Sequence, residues 1–348
     1  MKKKNKAIYL LFLMPFVYFA TACFVVWLVK TSGIYPSGSD TMYHVYRGDY
    51  VYNAIKSGNW YPLYDPAWYN GVEILRYWSP FPAYVMAFCQ YLAGGSQFGA
   101  YLFYIGGVCF LGACVWPFIG RGFNRPYLGA FIGLLWFFMP NNLCAIFIEG
   151  NLARSLSMIF LPVFIYSVYK YLYNHKLRYI PLMVFTFLLM ELCHLGYAGM
   201  VAIAVIIYGI VYMIQKGRKK AVLDVVISMI FGFMLLGIWL VASLKGGITS
   251  LDNSENMANF FQNLWITINP FERLTRGFEY FYFGFAALVV IVFGILFGYK
   301  KSRTGFVTGF IILLMTTKSA YAVLKHLPGS QYLWMLRFIS IALCMILM

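Results

Sequence analysis

Charge is scarce in this sequence, and acid is scarcer still. Only 11% of the 348 residues are charged; 11 are Asp or Glu, and there are four histidines. Soluble globular chains are about 25% charged and 45–50% apolar, whereas 62% of this chain is hydrophobic and 20% aromatic. An ordinary soluble enzyme, a disordered chain and a disulfide scaffold are thereby excluded. No P-loop, GxGxxG, HExxH, GxSxG or CxxC pattern occurs, so nucleotide hydrolysis, dinucleotide chemistry and zinc proteolysis lack support. The seven cysteines lie in or beside apolar runs and read as small apolar residues. No internal repeat is visible, nor a pair of broken helices in corresponding halves, which weighs against a secondary transporter.

What is present is a series of apolar runs separated by basic clusters. A membrane span takes about 20 mostly apolar residues. Candidate runs are 7–29, 80–93, 98–119, 127–145, 152–171, 179–193, 195–215, 221–244, 280–299, 304–317 and 332–348. The first is too long for a signal-peptide core and has no clear cleavage site, so it reads as a retained helix. Basic groups at Lys2/Lys3/Lys4/Lys6, Arg121/Arg125, Lys170/Lys176/Arg178, Lys216/Arg218/Lys219/Lys220 and Lys300/Lys301/Arg303 account for 16 of the 27 Lys and Arg residues. Placing every cluster in the cytoplasm requires an even number of spans between neighbours. Three runs lie between Lys6 and Arg121, so one does not cross; 80–93, the shortest of the three, reads as a juxtamembrane or re-entrant helix. The expected fold is an all-α polytopic bundle of about ten spans, a single domain over residues 1–348. Its N-terminus is cytoplasmic, its first outer loop covers 31–97 and a later outer loop covers 245–279. The final run stops without a polar flank, and we read the chain as incomplete at its C-terminus.

The acids test this topology, because they play no part in building it. Asp40, Asp49, Asp65, Glu73, Glu149, Asp252, Glu255, Glu272 and Glu279 all fall outside, nine of the eleven. Glu191 lies near the outer end of its span, and Asp224 alone lies near the cytoplasmic side. The net charge of +16 is therefore a sorted charge rather than a nucleic-acid signal.

The first outer loop is long enough to need a reason. Ser39 or Asp40 is a good N-cap for a helix reaching about Ser57. On it Asp40, His44 and Arg47 stand at i, i+4 and i+7, on one face. Two readings of that face stay open: a site for a metal or an anionic group, or a wetted interfacial helix with Asp40 as a plain cap. The aromatics Trp60, Tyr61, Trp68, Tyr69, Tyr77 and Trp78 also have two readings, a headgroup belt or a surface on which sugar rings stack.

These elements resemble a known pattern. A single N-terminal span, an early Asp, Gly58-Asn59-Trp60-Tyr61-Pro62, Trp68-Tyr69-Asn70-Gly71 and Tyr77-Trp78-Ser79-Pro80-Phe81-Pro82 are similar to the membrane glycosyltransferases of the C-type superfamily. More narrowly, Asp40, His44 and Arg47 with the tail Gln331-Tyr332-Leu333-Trp334-Met335-Leu336-Arg337-Phe338 resemble bacterial membrane proteins labelled 6-pyruvoyl-tetrahydropterin-synthase-related. That label implies no pterin chemistry. The tail departs from the family pattern by Met-Leu between Trp334 and Arg337.

The resemblance implies a glycosyltransferase of the bacterial cell membrane that uses a lipid-linked sugar on the extracytoplasmic face, with membrane lipids around it. It implies Asp40 and Glu149 as the catalytic carboxylates, either of which could be the general base, and a divalent metal, if one is used, on Asp40, Glu149 and His44. Transfer from a polyprenyl phosphate needs a base for the acceptor's proton and cations for the leaving phosphate. Candidates to meet substrate or phosphate are His44, Arg47, Arg154, His194 and Arg337, with Arg273 and Arg276 equally read as headgroup anchors. His194 either joins the site or pairs with Glu191. Rival readings are a transporter or flippase for a glycolipid, and a non-catalytic membrane protein.

Overall fold

In the computed structural model, residues 2–68, 70–245, 285–297, 303–326 and 333–348 are described. They are helical apart from loops and a β bridge between Asp65 and Val72. Helix α1 (Lys2–Ser32) leads to α2 (Thr41–Lys56) and α3 (Phe81–Leu92), then to α4 (Gln97–Gly122), α5 (Pro126–Trp136) and α6 (Pro140–Phe147). Helices α7 (Leu152–Asn174), α8 (Tyr179–Cys193), α9 (Leu195–Lys216), α10 (Lys219–Leu235) and α11 (Gly237–Lys245) follow. The remaining described segments are α12 (Phe285–Phe297), α13 (Arg303–Met315), α14 (Lys318–Leu324), a 3-10 turn (Met335–Arg337) and α15 (Phe338–Leu347). The expected later outer loop, with Asp252, Glu255, Glu272, Arg273, Arg276 and Glu279, lies outside the described residues, as do Tyr69, Lys300, Lys301, Gln331 and Tyr332.

Among the described residues, five helices are long and apolar enough to cross a membrane, or six if a bent pair counts as one span. The expected figure of about ten differs for identifiable reasons. The 38-residue stretch Tyr179–Lys216 satisfies the criterion as one segment, yet it doubles back at His194. Tyr179, at its start, lies 6.2 Å from Tyr166, and Tyr212, near its end, donates to Leu172 O; both partners are in the C-terminal half of α7. A straight helix of that length would extend about 57 Å at 1.5 Å per residue and could not return to one place. Helices α12, α13 and α15 are apolar but shorter.

The two ends of the bundle have opposite character. At one end Lys170 donates to Gly122 O, Arg178 stacks 5.1 Å from Tyr179, and Arg218 meets His175. Asp224, the acid of this end, accepts from Tyr171 Oη at 2.5 Å. The opposite end carries Asp40, Asp49, Asp65, Glu73 and Glu149 on or beside a folded first loop. In that loop α2 and α3 form a helical pair around Val51, Ile74, Leu75, Ala83 and Ala87, all buried. Gln90 of α3 donates to Asp49 Oδ1 at 2.6 Å, and Tyr46 to Asp65 Oδ2 at 2.6 Å. Twelve residues make α3 about 18 Å long, short of the ~30 Å hydrocarbon core.

Two apolar runs that read as continuous in sequence are interrupted. Pro140 opens α6 after a break at Phe137–Met139, dividing the run 127–145. Helices α10 and α11 meet at 64° just before Gly237. Beyond that bend α11 docks on the first loop: Trp239 Nε1 donates to Leu75 O at 2.7 Å, and Arg76 Nε to Ala242 O at 3.0 Å.

Candidate functional site

The two loops that bear Asp40 and Glu149 are clamped together by backbone. Ser39 N donates to Ile148 O at 3.2 Å, Asp40 N to Glu149 O at 2.9 Å, and Ser39 Oγ to the same oxygen at 2.8 Å. Two glycines permit the approach. A Cβ on Gly38 would stand 2.7 Å from Gly150 Cα, and one on Gly150 would collide with Thr41 Oγ1. Gly150 also has φ of +65°, the left-handed region that a glycine enters freely.

Asp40 occupies the N-cap position of α2 without using its carboxylate as the cap. The side chain is instead half-buried within the field of Arg337, Glu149 and Arg154. Burial raises its pKa above the ordinary carboxylate range, and Arg337 and Arg154 pull it back in part.

Glu149 anchors an ion cluster. Arg154 Nη2 lies 2.9 Å from Glu149 Oε1, and Arg337 Nε lies 3.6 Å from Oε2; the Arg154 side chain is fully buried. Arg154 comes from the first turn of α7, where Asn151 is the N-cap and its Oδ1 accepts from Arg154 N at 2.9 Å. Arg337 comes from the 3-10 turn and stacks 4.6 Å from the Trp334 ring.

His194 joins this cluster and does not pair with Glu191. It caps α9 through Nδ1, which accepts from Tyr197 N at 3.1 Å. Its Nε2 faces Arg337 Nη1 at 3.4 Å and Asn151 Nδ2 at 3.5 Å. Glu191 turns toward Gly232 of α10, and among the described residues its Oε2 has no hydrogen-bond partner.

His44 lies within the field of both Arg337 of the ion cluster and Arg47. Burial, Arg47 and Arg337 push its pKa down to about 3, so the ring is neutral. Arg47 is buried and stands apart from the cluster, its guanidinium 5.0 Å from Trp78 and 5.5 Å from Tyr43. Burial pulls its pKa down to about 10, which still leaves it charged. Trp68 and Trp78 are parallel at 6.4 Å, with Tyr43 edge-on to both. Trp60 and Tyr61 are exposed.

The structure thus gathers Asp40, His44, Glu149, Arg154, His194 and Arg337, and leaves Arg47 beside them in an aromatic setting. Asn151 was not among the sequence candidates, although an Asn preceding an apolar run by one residue is a cap signal. Ser39 reads locally only as a cap candidate, and Gly38 and Gly150 carry no local signal, because the part all three play in the clamp depends on an approach between segments about 110 residues apart. The donor set does not suit the metal expected on Asp40, Glu149 and His44. Among the described residues, no three His, Cys, Asp or Glu side chains are placed so that they could hold one metal ion. Glu149 is already occupied by two guanidiniums, which would repel a cation.

Comparison with known proteins bears on the same residues. Residues 75–348 match the model for the 6-pyruvoyl-tetrahydropterin synthase related domain, a membrane protein family, and the chain belongs to that family. The match includes Glu149, Asn151, Arg154, His194 and Arg337, while Asp40, His44 and Arg47 precede it. No curated protein and no solved structure matches the chain.

Proposed function

For this member of the family we propose a membrane glycosyltransferase, moving a sugar from a polyprenyl-phosphate-linked donor to an extracytoplasmic acceptor. The observation that carries the reading is a carboxyl freed from capping, Asp40, held beside the buried Arg154–Glu149–Arg337 cluster. Asp40 takes the proton of the acceptor hydroxyl. The acceptor oxygen bonds to the anomeric carbon, the bond from that carbon to the phosphate oxygen breaks, and its electron pair leaves on the phosphate. Arg154 and Arg337 stabilise the charge that develops there. Glu149 holds both cations in place, so its role is positioning through them.

The orientation follows from the positive-inside rule: the Lys- and Arg-rich end faces the cytoplasm and the acidic end the outside. The bacterial cell membrane is the setting that the C-type resemblance implies.

A second reading rests on the two interrupted helical runs, since broken spans are a feature of transporters. In that reading the chain moves a glycolipid across the bilayer without chemistry. Proteoliposomes loaded with radiolabelled polyprenyl-phosphate sugars and a set of envelope acceptors separate the two. Labelled acceptor supports the transferase; movement of intact glycolipid with no labelled acceptor replaces it with the transporter.

A further inference from the structure

The hydrogen-bonding capacity around His194 is unbalanced in a specific way. Asn151 Oδ1 is committed to capping α7 by accepting from Arg154 N, which fixes the amide so that Nδ2 faces His194. His194 Nδ1 is committed in the same way to capping α9 by accepting from Tyr197 N, which requires it to be unprotonated and places the ring proton on Nε2. Arg337 contributes Nη1, a donor in every state. The three groups that meet at 3.4–3.5 Å are therefore all donors, with no acceptor among them. Donors brought together without an acceptor in a buried place are unsatisfied until something supplies an oxygen. Asn151 is only 4% exposed, so bulk water does not fill the role freely.

The electrostatics have the same sense. Asn151 and His194 cap helices of 23 and 22 residues, and both positive helix ends point at this spot. Arg154 and Arg337 add two full charges; Glu149 offsets one, and Asp40, in the same field, offsets the other only when it is ionised.

We propose that Asn151 Nδ2, His194 Nε2 and Arg337 Nη1 form a seat for one phosphate oxygen at the paired N-termini of α7 and α9. The identity of that phosphate as a polyprenyl carrier rests on the transferase reading above; the seat itself does not. Asn151 and His194 act there as neutral donors, each made directional by its own capping bond.

The caps allow a clean test. Asn151→Ser and Asn151→Asp retain an oxygen to cap α7 but lose the Nδ2 donor, and Asp adds a repelling charge. His194→Asn retains an acceptor for Tyr197 N and loses the Nε2–H. Binding of farnesyl phosphate, farnesol, inorganic phosphate and phosphatidylglycerol to the detergent-purified full chain is measured by native mass spectrometry, with melting temperature as the control for folding. The seat predicts that farnesyl phosphate binds and farnesol does not. It also predicts that binding falls about tenfold in Asn151→Ser and His194→Asn and further in Asn151→Asp, at unchanged melting temperature.

Competition by inorganic phosphate marks the phosphate group itself as the recognised element. Competition by phosphatidylglycerol that disappears in Asn151→Ser assigns the seat to a membrane phosphodiester; it keeps the seat and removes the polyprenyl assignment. Equal binding of farnesol and farnesyl phosphate, or wild-type binding in folded Asn151→Ser and His194→Asn, overturns the seat. Transfer activity that persists with that result leaves the transferase reading intact, whereas a working seat in a chain without transfer removes that reading alone.

Discussion

Arg154 and Glu149 form an ion pair at 2.9 Å with both side chains buried, five residues apart across the Gly150–Asn151 turn. Burying two charges is unfavourable unless each is fully matched, so such a pair contributes less to stability than to geometry. Here the geometry is the placement of two guanidiniums on one carboxylate beside Asp40.

Removing that carboxylate leaves cations buried without their counter-charge. Glu149→Gln is expected to destabilise the chain by about 3–5 kcal/mol, read as a lower melting temperature in detergent. Glu149→Leu combined with Arg154→Met is expected to recover part of that loss, because the uncompensated Arg154 charge is gone. Both variants lose transfer.

The Gly150 turn is equally exacting. Gly150→Ala places a methyl group into Thr41 Oγ1 and 2.6 Å from Thr41 N, at a φ of +65° that alanine resists. We expect a loss of about 1–3 kcal/mol, and reduced transfer, because the clamp that holds Asp40 against Glu149 opens. Gly58→Ala is the control: its φ is +89° but nothing lies within 4 Å, so it should lose stability without losing transfer.

The pH dependence has a defined sign. A base works in its ionised form, so transfer should rise with pH through the raised pKa of Asp40 and level off above it. The folded chain holds the Asp40 proton more tightly than the unfolded one. This group's stability contribution is therefore present at low pH and lost as pH rises through the folded value. His44 behaves oppositely. With its pKa pushed down to about 3, its contribution is complete above the ordinary histidine range and lost as pH falls toward 3. Melting curves of wild type and His44→Gln from about pH 4 to 8 check this: the variant should be less sensitive to acid.

Much of this arrangement is legible in the sequence because it depends on charge sorting and spacing. The run lengths and basic clusters place α1, α4, α7, α8 and α9, and a short helix at α3. The periodicity after Ser39 places Asp40, His44 and Arg47 on α2. The break at Gly237 is not legible from hydropathy, since its run remains apolar on both sides; the break at Pro140 leaves only a short local mark, Pro140-Asn141-Asn142, inside an otherwise apolar run. The Ser39–Glu149 clamp and the convergence of Asn151 with His194 depend on contacts between distant segments, for which a single sequence has no local pattern. Arg47 shares its helix face with Asp40, yet cation–π stacking on Trp78 and Tyr43 holds it away from the ion cluster.

The central claim is that the carboxylate of Asp40 performs the proton transfer. The most direct test is the rate at which reconstituted Asp40→Asn transfers labelled sugar from a polyprenyl-phosphate donor, at wild-type protein level and melting temperature. Asparagine keeps the size and polarity but cannot accept the proton, so a loss of at least about a hundredfold is expected. Wild-type transfer by a folded Asp40→Asn protein would contradict the account.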